Sequence, residues 1–210
     1  MTDEPSATRE TGRIEAFSDA VFAIAITLLV LDLRVPAPGR FAETLLSDWS
    51  SYLAYLAAFA TIASIWLHHH TVFRRIARVE PAVLLLNLLL LLGVSVVPWP
   101  TSLIAAAVRE GTRSDQIAAV AVYTLVSLVV SASWTGLEFT LAARPRLLVD
   151  PADTGWMRLH GYQAMLAAIP ILVAGALVFV SPIASLLVFV AVPAYFIAVV
   201  STTGWRRPRD

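Results

Sequence analysis

Long apolar runs alternate along the chain with short polar breaks rich in proline, glycine and arginine, and this pattern predicts membrane-crossing helices. Six runs read as spans, the first of them long enough by itself to cross about 30 Å of hydrocarbon at roughly 20 residues per crossing. They fall at about 14–33, 49–73, 82–97, 116–141, 156–180 and 182–203. Pro36, Pro38 and Gly39 stop the first, because none of them continues a helix readily. A short amphipathic piece, Phe41–Leu46, then lies at the interface before Asp48 caps the second helix. The second run opens on Trp49, Tyr52 and Tyr55, aromatic residues suited to the headgroup level. Pro81 opens the third, and Pro98-Trp99-Pro100 breaks or kinks it before a short apolar continuation, Thr101–Val108. Residues 1–12 read as a disordered polar tail, 13–205 as the membrane domain, and 206–210 as a second tail. The predicted class is therefore an all-α polytopic membrane protein of six spans.

Composition agrees with the pattern and narrows it. Of 210 residues, 58% are hydrophobic and mean hydropathy is +0.76, well above the soluble average. There is no cysteine, which excludes disulfides, thiolate metal sites and a cysteine nucleophile. The formal net charge is zero, and no clustered basic surface of the kind a nucleic acid needs is expected. The start, MTDEPSATRETG, lacks the basic region and cleavage site of a signal peptide, so the first apolar helix is expected to remain as a span. All basic residues are arginine. With both termini inside, six spans leave Arg34, Arg40, Arg109 and Arg113 outside and the remaining eleven cytoplasmic, as the positive-inside rule requires.

The first run carries the candidate chemistry. Asp19 stands about six residues into an apolar segment, where a carboxylate costs roughly 2.5–3.5 kcal/mol unless it is partnered. At about 100° per residue Ile24, Thr27, Leu28 and Leu31 share one stripe, with Asp19 on another face. That stripe could face lipid, a neighbouring helix or a symmetry axis, and periodicity alone does not choose.

Other polar residues inside apolar runs invite partners. His68, His69 and His70 are consecutive, so helical geometry keeps all three from converging on one metal ion; one is expected to face inward and the others the headgroups. Asn87 suits a hydrogen bond across a helix interface, and Ser127, Ser131, Ser133 and Gly136 permit close packing of the fourth span. Glu138 lies within reach of Arg144 or Arg146 and reads as a snorkelling acid. His160 and Gln163 stand near the start of the fifth span, and Pro170 in its middle. No phosphate loop, GxSxG elbow or HExxH motif is present, and neither is the TVGYG segment of ordinary potassium filters. Neither an enzyme nor a cofactor is expected.

Arg13, Phe17, Ser18 and Asp19 form an RxxxFSD pattern, followed by Trp66 and His69 as W..H, then Asn87 and Pro98. In these residues, over roughly 9–205, the chain resembles the transmembrane protein 175 family of potassium-permeable channels, found in lysosomes and in prokaryotes. The resemblance implies a multi-pass protein of a prokaryotic plasma membrane that passes potassium ions through a pore lined by the first helix. It implies that Ile24, Leu28 and Leu31 form stacked apolar rings about one helical turn apart, which gate by dewetting, with Ile24 narrowest and the Thr27 hydroxyls contributing to ion choice. It also implies that Arg13, Phe17, Ser18, Asp19, Trp66, His69 and Asn87 are architectural, fixing the rotation of the first helix. One motif copy per chain implies a homotetramer in the lipid bilayer. Two rival readings stand beside this one: a proton-coupled transporter or proton conductor using Asp19 and His69, and a non-conducting scaffold.

Overall fold

The computed structural model of the protein describes residues 4–33, 35–181, 184, 185, 187–189 and 191. Most of the sixth predicted span, 182–203, and the whole of the 206–210 tail lie outside the described residues. Among the described residues seven α-helices of defined bounds follow one another: α1 Glu4–Leu28, α2 Phe41–Ser47, α3 Trp49–Phe73, α4 Pro81–Val96, α5 Pro98–Glu110, α6 Arg113–Ala142 and α7 Thr154–Leu177. Five helical stretches are long and apolar enough to cross a membrane: Glu10–Leu31, Trp49–Phe73, Pro81–Glu110, Arg113–Ala142 and Pro151–Leu177. The protein is thus all-helical and of membrane type.

Helix boundaries follow local chemistry. The segment read as a disordered tail is helical from Glu4 onward, a correction to the sequence expectation. Pro5 stands in the first turn, where no intrahelical N–H is needed, and the residues after it tolerate a helix despite having no apolar period. At its other end α1 tightens into a 3₁₀ turn, Leu29–Asp32, rather than running on as α-helix to Leu33. Helices α4 and α5 form one crossing with a break at Val97, since neither Pro98 nor Pro100 has an N–H to donate. Helix α6 starts three residues earlier than its apolar run because Thr112 builds a reciprocal cap. Its Oγ1 accepts from the Asp115 N–H at 3.3 Å, and Asp115 Oδ2 accepts from the Thr112 N–H at 2.8 Å.

Helix α6 is the hub, packing most extensively on α7 and then on α4, while α1 lies across α3 and α4. Close approach needs small residues: a Cβ on Gly136 would lie 2.8 Å from Leu86 Cδ2. The Ser131 hydroxyl donates to the Ala164 carbonyl of α7 at 2.7 Å. The core joins Phe22, Ala25 and Leu29 of α1 to Ile62, Phe73, Leu90, Leu137 and Met157. At the arginine-rich end, the loops after α3 and α6 are tied by backbone bonds, Ala77 N–H to Leu147 O at 2.8 Å and Val149 N–H to Arg75 O at 2.9 Å. There Arg144 and Arg146 both donate to the Glu80 carboxylate at 2.7 Å. They are therefore not the partners of Glu138, and the snorkelling-acid reading is corrected.

Candidate functional site

Helix α1 divides into two faces. Ser18, Phe22, Ala25 and Leu29, at i, i+4, i+7 and i+11, are buried against α3 and α4. Ile24, Leu28 and Leu31 are 58%, 47% and 75% exposed, and Thr27 is exposed with them. The 3₁₀ turn keeps Leu31 in line with Leu28, because residues three apart eclipse in that geometry. The Thr27 hydroxyl donates to the Ile24 carbonyl at 2.9 Å, which leaves its oxygen lone pairs outward. Phe17, 55% exposed, stands seven residues before Ile24 on this same face, away from the polar residues with which the sequence grouped it.

The buried face is held by a chain of side-chain hydrogen bonds. His69 Nε2–H donates to Asn87 Oδ1 at 3.0 Å, Asn87 Nδ2–H donates to Ser18 Oγ at 3.0 Å, and Ser18 Oγ–H donates to the Ile14 carbonyl at 2.9 Å. Three helices, α3, α4 and α1, are thereby joined through residues that are all fully buried. A second link stands beside it: Trp66 Nε1–H donates to Asp19 Oδ1 at 2.9 Å, and the Trp66 ring stacks on His70 at 5.9 Å. His70 Nδ1 lies 3.3 Å from the Glu15 carboxylate. Asp19 and His69, paired in one rival reading, thus belong to separate hydrogen-bond links. Arg13 is exposed and joins neither.

Sequence reasoning missed a second buried cluster. His68 and His69 both point inward, contrary to the expectation of a single inward histidine. His68 Nε2 meets Glu138 Oε1 at 2.7 Å, with Glu138 fully buried on α6. His68 also stacks on His160 of α7 at 5.8 Å, and His160 in turn on Trp156 at 3.7 Å. The available signal was an acid and a histidine inside separate apolar runs, each needing a partner. At the opposite end of the bundle, Asp48 Oδ1 accepts from Arg109 Nη1 at 2.8 Å and from Ser51 Oγ at 2.9 Å. Asp48 occupies the position before α3 without capping it by a side-chain bond.

Helices of membrane-crossing length, one of which turns an apolar stripe outward while polar side chains grip its back, define a polytopic helical membrane protein. The family described as "Endosomal/lysosomal potassium channel TMEM175" matches residues 13–98. A protein named as a potassium channel from Streptomyces collinus is 47% identical over 145 residues, 68% of this chain and 69% of that one. Another so named, from Chamaesiphon minutus, is 44% identical over 150 residues, 69% of this chain and 72% of its own length. The crystal structure described as a lysosomal potassium-selective channel TMEM175 homolog from Chamaesiphon minutus superposes with a TM-score of 0.73 at 36% identity, over 90% of this chain and 97% of that one. The chain belongs to the TMEM175 family.

Proposed function

We propose that this protein is the subunit of a potassium-preferring cation channel in which α1 lines a central pore. The observation that carries the reading is the division of α1: an aliphatic stripe left exposed by the described residues, and a back face fixed by the Ser18–Asn87–His69 chain and the Trp66–Asp19 bond. Copies placed around an axis would stack Ile24, Leu28 and Leu31 as apolar rings that gate by dewetting, with Thr27 as the one hydroxyl layer. One such stripe per chain makes the assembly a homotetramer. The working topology is six spans in a membrane domain over 13–205, both termini cytoplasmic, in a prokaryotic plasma membrane; the arginine distribution and the names of the relatives support it.

Flux in liposomes tests this reading. Ile24→Asn replaces the apolar constriction by a wettable one and should raise potassium flux above wild type at equal protein incorporation, without coupled proton movement. Unchanged flux would remove Ile24 from the pore. Stoichiometric counter-movement of protons would instead favour the transporter in which Asp19 and His69 titrate.

A further inference from the structure

A half-open cavity of about 140 Å³ lies between α3, α6 and α7, close in volume to an apolar protein cavity that admits benzene, about 150 Å³. Its walls are mainly apolar and aromatic, among them Ile65, Val130, Trp134, Ile171 and Phe189. None of the residues of the outward α1 stripe takes part in it.

Part of its polar lining is already engaged, whereas the Ser127 hydroxyl makes no side-chain hydrogen bond among the described residues. The Ser131 hydroxyl donates to the Ala164 carbonyl, the Ser64 hydroxyl to the Thr61 carbonyl and the Thr61 hydroxyl to the Ala57 carbonyl. His68 is held by Glu138. His160 differs. Its Nδ1–H donates to the Trp156 carbonyl at 2.9 Å, so the neutral ring keeps Nε2 as an acceptor, and Nε2 has no partner among the described residues. Gln163, one helical turn further along α7, also lines the cavity without a side-chain hydrogen bond among the described residues.

We propose that this cavity is a binding site for a small, neutral, lipophilic phenol, its ring between Trp134 and the aliphatic wall and its hydroxyl donating to His160 Nε2. An organic anion has no cation to meet there. A charged amine would bring its desolvation cost into a mainly apolar space. A plain hydrocarbon would leave the His160 acceptor unanswered. A phenol satisfies all three conditions and reaches the site through the bilayer.

Calorimetric titration of the purified full-length protein in detergent with p-bromophenol and with bromobenzene tests the assignment. Wild type should show saturable binding of both, tighter for the phenol. His160→Phe keeps the stacked ring and loses the acceptor, so phenol affinity should fall roughly fivefold, the value of one hydrogen bond, with bromobenzene unchanged. Ala167→Phe fills the cavity and should abolish saturable binding of both. Ala164→Leu serves the same purpose if the first variant fails to elute as wild type. Equal affinity of the two probes, or an equal loss of both in His160→Phe, would assign the space to a hydrocarbon chain and overturn the proposal. So would binding that survives filling, or heats that never saturate.

Discussion

Glu138 and His68, 70 residues apart in sequence, meet at 2.7 Å with the carboxylate fully buried, and this contact ties α6 to α3 on the turn beside His69. His68 grips α6 and His69 grips α4 and, through Asn87, the back of α1. Two neighbouring residues therefore transmit the position of the bundle core to the face-bearing helix.

The pair makes an ordered prediction. His68→Leu leaves a carboxylate buried without compensation and should destabilise by about 3–5 kcal/mol. Glu138→Leu leaves a neutral imidazole without its acceptor, a loss of about 1–3 kcal/mol. The double Leu variant should recover part of the larger loss, because an apolar pair of similar volume often replaces a buried ionic one without cost. Thermal unfolding of the purified protein reads all three. Equal losses in both single variants would overturn this ordering.

Asn87 is the hinge of the α1 clamp, since its amide accepts from His69 and donates to Ser18. Asn87→Leu strands the His69 N–H in a dry interior, while Ser18 keeps its bond to the Ile14 carbonyl, and should lower stability by roughly 1–3 kcal/mol, about one unsatisfied group. Asp19→Asn keeps a carbonyl oxygen for the Trp66 N–H and should be milder than Asp19→Leu, which strands it. Yield of assembled protein by size exclusion should fall in the order Asn87→Leu, Asp19→Leu, Asp19→Asn.

Two ion pairs of similar length separate burial from distance. Arg40–Glu43 spans 2.9 Å with side chains 69% and 66% exposed, whereas Arg109–Asp48 spans 2.8 Å with side chains 21% and 6% exposed. Arg40→Met should leave the unfolding midpoint close to that of wild type, as loss of an exposed, solvent-screened pair does. Arg109→Met leaves Asp48 with Ser51 alone and one carboxylate oxygen already unpartnered, and should cost several-fold more, up to about 3 kcal/mol. Comparable unfolding midpoints for the two variants would show that water reaches Asp48.

The legibility of this chain follows physical range. Crossings were readable because burial in lipid demands uninterrupted apolar length, and α3 occupies the 49–73 run predicted for it. Ser18, Asp19, Trp66, His69 and Asn87 stood out as polar groups that a membrane interior must satisfy, and all five make side-chain bonds across helices. Glu138 was misread because proximity along the chain favoured Arg144 and Arg146, whereas Glu80, on another helix, takes both. His68 was misread because consecutive histidines diverge by about 100°, which separates faces without making either face wet in a bundle with neighbours on two sides. The helical turns before Gly12 carry no apolar period, so no pattern could announce them.

If α1 lines a pore, Thr27 supplies the sharpest test of how that face would discriminate ions. Apolar rings replace no hydration oxygens, so a pore built from Ile24, Leu28 and Leu31 alone could prefer potassium to sodium only by the lower dehydration cost of the larger ion. The Thr27 oxygen is the one polar atom in that stripe, and its proton is committed to the Ile24 carbonyl, which leaves lone pairs for a cation. Thr27→Val conserves shape and removes the oxygen. If a hydroxyl layer assists, the variant should still conduct, but its potassium-to-sodium flux ratio should fall by roughly fivefold, equivalent to about 1 kcal/mol. Liposomes under bi-ionic gradients measure the ratio directly. A Thr27→Val channel with wild-type selectivity would place all discrimination in the aliphatic rings, and Ile24→Ala, which widens the narrowest one, should then lower it instead.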